Sequence, residues 1–332
     1  MEPSVAAPER RGKTASSPGR PGRPPQSGFG VAVRRVLRWI RRHGRPLPWI
    51  GPAIILIALV VLLPVVLMVR DSFRDIDDIG FDHGWAGVQN FKELFNEPDL
   101  GAIVTRTAVW VVVVVAITVV LSLALAQLFN QKFPGRTVAR WALIAPWAAS
   151  VYMTGLIFQW MLNANSGFIN LFLHDIGLLK TLGGHDASWL GRPTAAFWWM
   201  VGVAVFVSVP FTTYALLAGL QTIPGDLYEA ARVDGASTWR AYWSITFPLL
   251  RPALIVAMLI NIINVFNNFA IIWSMTRGAP GHETATTTIF MYQLKANSIP
   301  EAAAMSVVNF GLVLVVVFFF LTLTNRNRKD AA

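Results

Sequence analysis

The sequence contains no cysteine, and it has few charged residues for a chain of 332. Without cysteine the chain has no disulfide, no thiolate metal site and no cysteine nucleophile. Charged residues make up 14% of the sequence and hydrophobic residues 54%, a balance typical of proteins that cross a membrane several times. The lipid bilayer is therefore the expected surrounding of most of the chain.

Six apolar segments are long enough to cross a bilayer as helices, which predicts an all-α, polytopic membrane protein. They lie at residues 49–69, 104–128, 139–162, 194–220, 250–275 and 303–324. Asp, Glu and His are missing from the central parts of segments one and three to six, and Arg106 lies at the outer end of the second. Ion-coupled transporters usually need such groups inside the membrane, so a secondary transporter is the less favoured alternative. All five histidines also lie outside the segments, which argues against an intramembrane protease.

The positive charge is concentrated in one tail. The net charge is +10, but eleven of the 28 Lys and Arg lie in residues 1–48, so no nucleic-acid-binding surface is indicated. We expect residues 1–33, rich in Pro, Gly, Ser and Arg, to be disordered. Residues 34–48 predict a short amphipathic helix at the inner face of the membrane. The following apolar run is long enough to span and lacks a clear cleavage site, so we do not expect a cleaved signal peptide.

Loop charges predict the orientation of the six helices. The loop at 70–103 carries eight acidic residues against three Lys or Arg, whereas the loop at 129–138 and the tail at 326–332 are basic. Because basic loops stay in the cytoplasm, both termini are predicted to be cytoplasmic. The polar loop at 221–250 then lies in the cytoplasm as well.

This polar loop predicts two short helices around a turn. Asp226 can cap the first helix, with Glu229 three residues later completing a capping box. Gly235 suits the left-handed conformation that ends such a helix. The Ser-Thr pair that begins at Ser237 can cap the second helix, and the residue before Pro248 should leave helical geometry.

The same loop resembles the coupling loop of the membrane subunits of binding-protein-dependent ABC importers. The family pattern is Glu-Ala-Ala, three residues, Gly, nine residues, Ile, one residue and Leu-Pro, and only Phe247 departs from it, in place of Leu. The resemblance implies that these residues couple the chain to an ATPase: Glu229, Ala230, Ala231, Asp234, Gly235, Ile245 and Pro248.

The fifth apolar segment carries a stripe of amides. Asn261, Asn264 and Asn268 share one helical face by their spacing, and Asn267 adjoins it. Uncharged amides in a membrane are costly unless they find partners. They can hydrogen-bond to a helix of another subunit, or they can line a path for an uncharged, hydroxyl-rich solute. Ser208, beside a proline in the fourth segment, is a weaker candidate for the same path.

The resemblance extends over roughly residues 50–325. Asn264-Val-Phe-Asn-Asn-Phe269, followed by Thr276-Arg-Gly-Ala-Pro280, resembles the fifth-span signature of maltose-type carbohydrate permeases. Ala145-Pro146-Trp147, with Trp160 and Gly167-Phe-Ile-Asn170, resembles the third span and the following outer loop of the same group. It implies that the Asn-rich stretch contacts sugar. The neighbouring aromatic residues Phe266, Phe269 and Trp273 can stack on sugar rings or simply pack.

The resemblance implies the transmembrane fold of a type I ABC importer, in a bacterial-type cytoplasmic membrane. Residues 49–325, with the coupling loop at 221–250, would form a permease domain that moves a carbohydrate, with an oligosaccharide as the expected cargo. A non-sugar solute such as a glycerol phosphodiester is the alternative. The implied partners are a homologous second permease subunit, two ATPase subunits and an extracytoplasmic sugar-binding protein. The chain itself is expected to bind no cofactor and to be no enzyme, since ATP and Mg²⁺ would be used by the ATPase.

Overall fold

The computed structural model of the protein describes residues 47–77 and 79–329. Residues 1–46 lie outside this part, and with them all but the last two residues of the amphipathic helix predicted at 34–48. The last three residues of the C-terminal tail lie outside it as well. The chain divides into two units, residues 1–63 and 64–332. In the first unit, helix α1 (Leu47–Ile57) is followed by a π-helical turn over Ala58–Leu62.

Helix α2 (Leu63–Asp71) completes a helical stretch, Ile50–Asp71, that is apolar enough to cross a membrane, in agreement with the predicted first span. The π-helical turn lies directly before Pro64, which has no N–H to donate. The N–H of Leu63 bonds to the carbonyl of Ala58. This longer hydrogen bond lets the helix continue through the proline.

A small β-hairpin follows, which the sequence did not predict. Strands β1 (Arg74–Ile76) and β2 (Asp82–Trp85) pair antiparallel, and helix α3 (Gln89–Asn96) comes next. An ion pair of 2.7 Å joins Arg74 to Asp82 across the strands. Asp77 closes the turn by accepting the backbone N–H of Phe81 at 2.7 Å, and this hydrogen bond lowers the pKa of its carboxyl group.

The remainder of the described chain is helical. The elements are α4 (Leu100–Asn130), α5 (Arg136–Ala148), α6 (Val151–Met161), α7 (Phe168–Asp175), a 3₁₀ turn (His185–Ala187), α8 (Pro193–Gln221), α9 (Gly225–Val233), α10 (Thr238–Ala241), a π-helical turn (Tyr242–Thr246), α11 (Phe247–Phe266), α12 (Ala270–Met275), α13 (Thr287–Leu294) and α14 (Ile299–Lys329). Five stretches could each cross a membrane, and α5 with α6 makes a sixth if that bent pair is one span. The all-α, six-span prediction is confirmed.

Two of the predicted spans are broken. Helices α5 and α6 meet at an angle of 94°, because Ala149 and Ser150 are extended after the proline at position 146. The predicted fifth span is interrupted after Phe266, and α12 resumes it at Ala270. Asn268 therefore lies in the break, not on the helical face that its spacing had predicted.

Helices α4 and α8 form the centre of the core and pack along much of their length. Trp110 of α4 is buried among the core residues, and its indole N–H donates to the carbonyl of Val265 at 3.0 Å. Ser122 of α4 donates to the carbonyl of Val209 in α8 at 3.2 Å. These bonds hold the end of α11 and the middle of α8 against α4.

Helices α6 and α12, the second pieces of the two broken spans, pack against each other at a glycine. A Cβ atom at Gly155 would lie 1.9 Å from Oγ of Ser274 and 3.5 Å from the backbone of Ile271. Only a residue without a side chain fits this contact. The two short helices therefore behave as one packed pair.

Candidate functional site

A cavity of about 550 Å³, here called the central cavity, opens where both broken spans meet α8. Its wall includes all five residues that the sequence predicted for the solute path, namely Asn261, Asn264, Asn267, Asn268 and Ser208. The breaks bring them together, since α11 ends and α12 begins at this wall. Irregular backbone at membrane depth is tolerated where it lines such a cavity.

The amides differ in what they already bind. Asn267 donates to the carbonyl of Ile263 at 2.9 Å and ends α11, and Asn268 accepts the N–H of Ile271 at 3.1 Å and starts α12. Asn261 is buried, with its amide nitrogen 3.5 Å from Oγ1 of Thr212. Two amides are therefore used to shape the break, and a third faces the core.

Asn264 and Ser208 differ from these amides because their polar groups are unoccupied. Asn264 is exposed and Ser208 half-buried, and neither side chain has a hydrogen-bond partner within the described chain. An asparagine amide both donates and accepts, and a hydroxyl group does the same. These two side chains supply the unoccupied polar chemistry of the wall.

Three aromatic rings complete the central cavity. Phe269 lines it as the sequence suggested, together with Trp147 and Phe211, which sequence reasoning did not single out as lining residues. Both of the missed rings directly follow a proline within an apolar segment, and that pairing was the available signal. None of the described side chains in this wall is charged.

The other two aromatic candidates pack elsewhere. Phe266 is buried, and Trp273 stacks on Phe269 at 5.2 Å and meets the edge of Tyr292 at 4.8 Å. Neither of the two lines the central cavity. Trp273 packs against Phe269 and supports its position in the wall.

The second candidate surface is the segment 225–248, here called the ledge. Helix α9 begins at Gly225, with Pro224 as the preceding residue. Asp226 thus lies within the first turn and makes no capping hydrogen bond, so the predicted capping box with Glu229 is wrong. The helix begins one residue before Asp226, because Pro224, with its extended backbone, occupies the position that precedes the first helical turn.

The end of α9 matches the prediction. Gly235 has a φ of +74°, the left-handed conformation. Its N–H bonds to the carbonyl of Arg232 at 3.1 Å, and the N–H of Ala236 bonds to that of Ala231 at 2.9 Å. This pair of bonds is the Schellman motif that favours glycine.

The second helix of the ledge follows the prediction at its start only. Ser237 caps α10 by accepting the N–H of Arg240 at 3.3 Å. Phe247 has φ −64° and ψ −44°, so the residue before Pro248 stays helical, contrary to the prediction. A π-helical turn lies before this proline too, and the N–H of Phe247 reaches back to the carbonyl of Tyr242.

The ledge presents both charged and apolar groups to its surroundings. Glu229, Ala230 and Asp234 are exposed, whereas Ala231 and Ile245 are half-buried. Exposed apolar side chains accompany them, with Val233 88% and Trp239 72% exposed. The hydroxyl groups of Tyr228 and Thr246 lie 2.9 Å apart and join α9 to the π-helical turn. A surface of this kind suits contact with another protein.

Comparison with known proteins gives consistent results. Residues 118–329 match the family described as the inner membrane component of binding-protein-dependent transport systems. A probable ABC transporter permease protein of Brucella suis biovar 1 is 38% identical over 87% of this chain and 100% of its own length. The trehalose/maltose transport system permease protein of Thermococcus litoralis is 34% identical over 82% of this chain and 91% of its own.

The fold is shared with a solved structure. A chain of a bacterial ABC transporter involved in the import of the acidic polysaccharide alginate superposes with a TM-score of 0.76. The likeness covers 88% of this chain and 99% of that one, at 21% sequence identity. The protein accordingly belongs to the family of binding-protein-dependent transport system inner membrane components, the multi-pass permease subunits of ABC importers.

Proposed function

We propose that the protein is the membrane subunit of an ATP-driven importer of a neutral carbohydrate, with an oligosaccharide as cargo. The observation that carries this proposal is the wall of the central cavity, which combines free amide and hydroxyl groups with aromatic rings and in which no described side chain is charged. A relative named for trehalose and maltose transport supports the same cargo class.

The wall suits a sugar by its chemistry. The free groups of Asn264 and Ser208 can exchange hydrogen bonds with sugar hydroxyl groups as water does. Aromatic faces such as that of Phe269 cover the apolar faces of sugar rings. A glycerol phosphodiester would bring a negative charge into this uncharged wall, so the alternative is disfavoured.

The ledge is proposed as the docking surface for an ATPase. Glu229 and Asp234 offer carboxylates for basic partner groups, and the exposed Val233 and Trp239 offer apolar area. The left-handed turn at Gly235 sets the direction of the chain between its two helices. In this proposal ATP and Mg²⁺ are bound by two ATPase subunits, and this chain binds no cofactor and catalyses no reaction.

The remaining partners and the topology follow from the same proposal. A homologous second permease subunit would close the other half of the pathway, and an extracytoplasmic sugar-binding protein would deliver the solute. Both termini would lie in the cytoplasm, on the side of the ledge. Residues 49–325 would form the permease domain, and residues 1–48 and 326–332 the flanking tails.

The test is the ATPase activity of the reconstituted importer with its binding protein, measured across a panel of neutral oligosaccharides. We expect one of them to stimulate hydrolysis. Asn264→Ala should weaken the apparent affinity about two- to tenfold, the loss of one hydrogen bond, whereas Asn297→Ala, an exposed asparagine outside the cavity, should not.

Two results would count against the proposal. If no carbohydrate stimulates hydrolysis or enters vesicles, the cargo class is wrong. If stimulation survives both Asn264→Ala and Asn268→Ala unchanged, the amides serve the packing of subunits and not the solute path.

A further inference from the structure

A second cavity of about 410 Å³, here called the outer cavity, lies at the far end of α6 and α12 from the central one. Val151 and Ala270, at the starts of these two helices, line the central cavity. Gln159, Trp160 and Met275, at or near their ends, line the outer cavity. At 1.5 Å per residue, the positions on α6 are separated by about 13 Å.

We propose that the outer cavity is a second binding subsite for a neutral oligosaccharide, which the cargo occupies on its way to the central cavity. This inference depends on the proposed function, because it assumes that the cargo is a carbohydrate. A ligand longer than about 13 Å, which excludes a monosaccharide, matches the distance between the cavities, so it can occupy both once the contact between α6 and α12 opens during transport.

Two indole rings form the aromatic part of the wall. Trp160 is 71% exposed at the end of α6. Trp189 is held rigidly: its N–H donates to Oδ1 of Asn170, the guanidinium of Arg192 lies 5.1 Å from its ring, and Trp199 meets it edge-on at 6.0 Å. One exposed indole ring and one fixed indole ring thus line the same cavity, and aromatic faces of this kind can cover the apolar face of a sugar ring.

Asn170 fixes the loop that forms this wall. Its side chain is fully buried, and its amide nitrogen donates to the carbonyls of Asn163 at 2.9 Å and Ala187 at 3.0 Å. With the bond from Trp189, one side chain joins three separate positions of the loop. The outer cavity therefore has a fixed shape before any ligand arrives, which lowers the cost of binding.

The wall of the outer cavity contains polar groups that are not yet used in hydrogen bonds. The side-chain oxygen of Asn163 accepts the N–H groups of Asn165 and Ser166 at 3.1 and 3.2 Å. Its amide nitrogen and the hydroxyl of Ser188 have no hydrogen-bond partner within the described chain. The described lining residues of this cavity carry no charge, as in the central cavity. A neutral sugar is thus the ligand class that fits the amide, hydroxyl and aromatic groups together.

The absence of cysteine gives a direct test in the complete importer. A single Asn163→Cys can be labelled with a membrane-impermeant maleimide without background from other thiols of this chain, and the labelled chain is separated from its partner subunits before it is counted. A linear oligosaccharide that the wild type imports, added at saturating concentration, should slow labelling at this position severalfold. Phe168→Cys is the control, because Phe168 is 67% exposed in α7 and does not line the cavity.

A transport measurement gives the second readout. Trp160→Ala should raise the KM for tetra- and pentasaccharides about tenfold, the value of one aromatic contact, and leave the KM for a disaccharide nearly unchanged. Trp198→Ala, which removes a 54% exposed tryptophan outside the cavity, should change neither.

The outcomes separate the two proposals. If the wild type imports no carbohydrate of the panel, the proposed function fails and the subsite with it. If the wild type imports an oligosaccharide, yet labelling at position 163 is unprotected and Trp160→Ala leaves every KM unchanged, only the outer subsite is refuted.

Discussion

Replacing Gly235 by valine tests the ledge through a single backbone angle. A Cβ atom at this position would meet no atom within 4 Å, so the substitution adds no clash. The cost of the substitution comes from the φ of +74° alone, because the left-handed conformation costs an L-residue about 1–2 kcal/mol. That cost lowers the ratio of native to non-native turn about 5- to 30-fold. We expect transport to fall by up to this factor while the ATPase subunits continue to hydrolyse ATP.

Two control substitutions isolate the cause. Gly225→Val introduces the same side chain into the same ledge, also in open space, at a glycine without positive φ. It should transport nearly as well as the wild type. Gly235→Asn should lie between, since asparagine tolerates the left-handed conformation better than valine. Uptake and ATPase activity are measured on the same reconstituted vesicles. Wild-type uptake in Gly235→Val, or equal losses in all three variants, would refute the reasoning.

Three further predictions test the packing described above. Gly155→Ala should destabilise the purified protein by about 1–3 kcal/mol, and Ser274→Ala in the same chain should restore part of the loss. An unchanged melting temperature in Gly155→Ala would contradict the close contact of α6 and α12. Asn170→Leu leaves the carbonyls of Asn163 and Ala187 without their donor, so it should lower the melting temperature by several degrees and abolish protection in the labelling assay. Full stability would mean that other contacts fix the loop. Tyr228→Phe should cost about 1 kcal/mol and speed proteolysis of the ledge, and Thr246→Val should add nothing further; additive effects would show that the two hydroxyl groups are not coupled.

Local rules predicted the parts of the structure that depend on a single residue. Gly235 and Ser237 act as the turn and the cap that their types indicate, because these roles need only the neighbouring backbone. The predicted geometry before Pro248 failed, since a π-helical turn removes the conflict that a proline normally creates. Proline rules assume a regular α-helix before the proline ring. In the part of the chain that the structure describes, a π-helical turn precedes both Pro64 and Pro248.

The solute path shows the limit of spacing arguments. All five predicted polar residues line the central cavity, but Asn267 and Asn268 do so at the break in the fifth span, and Asn268 does not continue the helical face that its spacing predicted. Trp147 and Phe211 join them from other spans, and no pattern along the chain shows that three separate segments converge. The β-hairpin was missed for a similar reason, since strands of three and four residues are too short to show a period.

The break in the fifth span also sets how thick the seal of the membrane can be. Between the two cavities that span is reduced to α12, whose six residues are about 9 Å long. The hydrocarbon core of a bilayer is about 30 Å thick. If both cavities hold water, the barrier to ions at this point is a plug only one third as thick as the lipid around it. The tight contact at Gly155 would then limit the passage of ions between the two cavities as well as pack the helices. A substitution that loosens this contact should cause a proton leak before transport is lost.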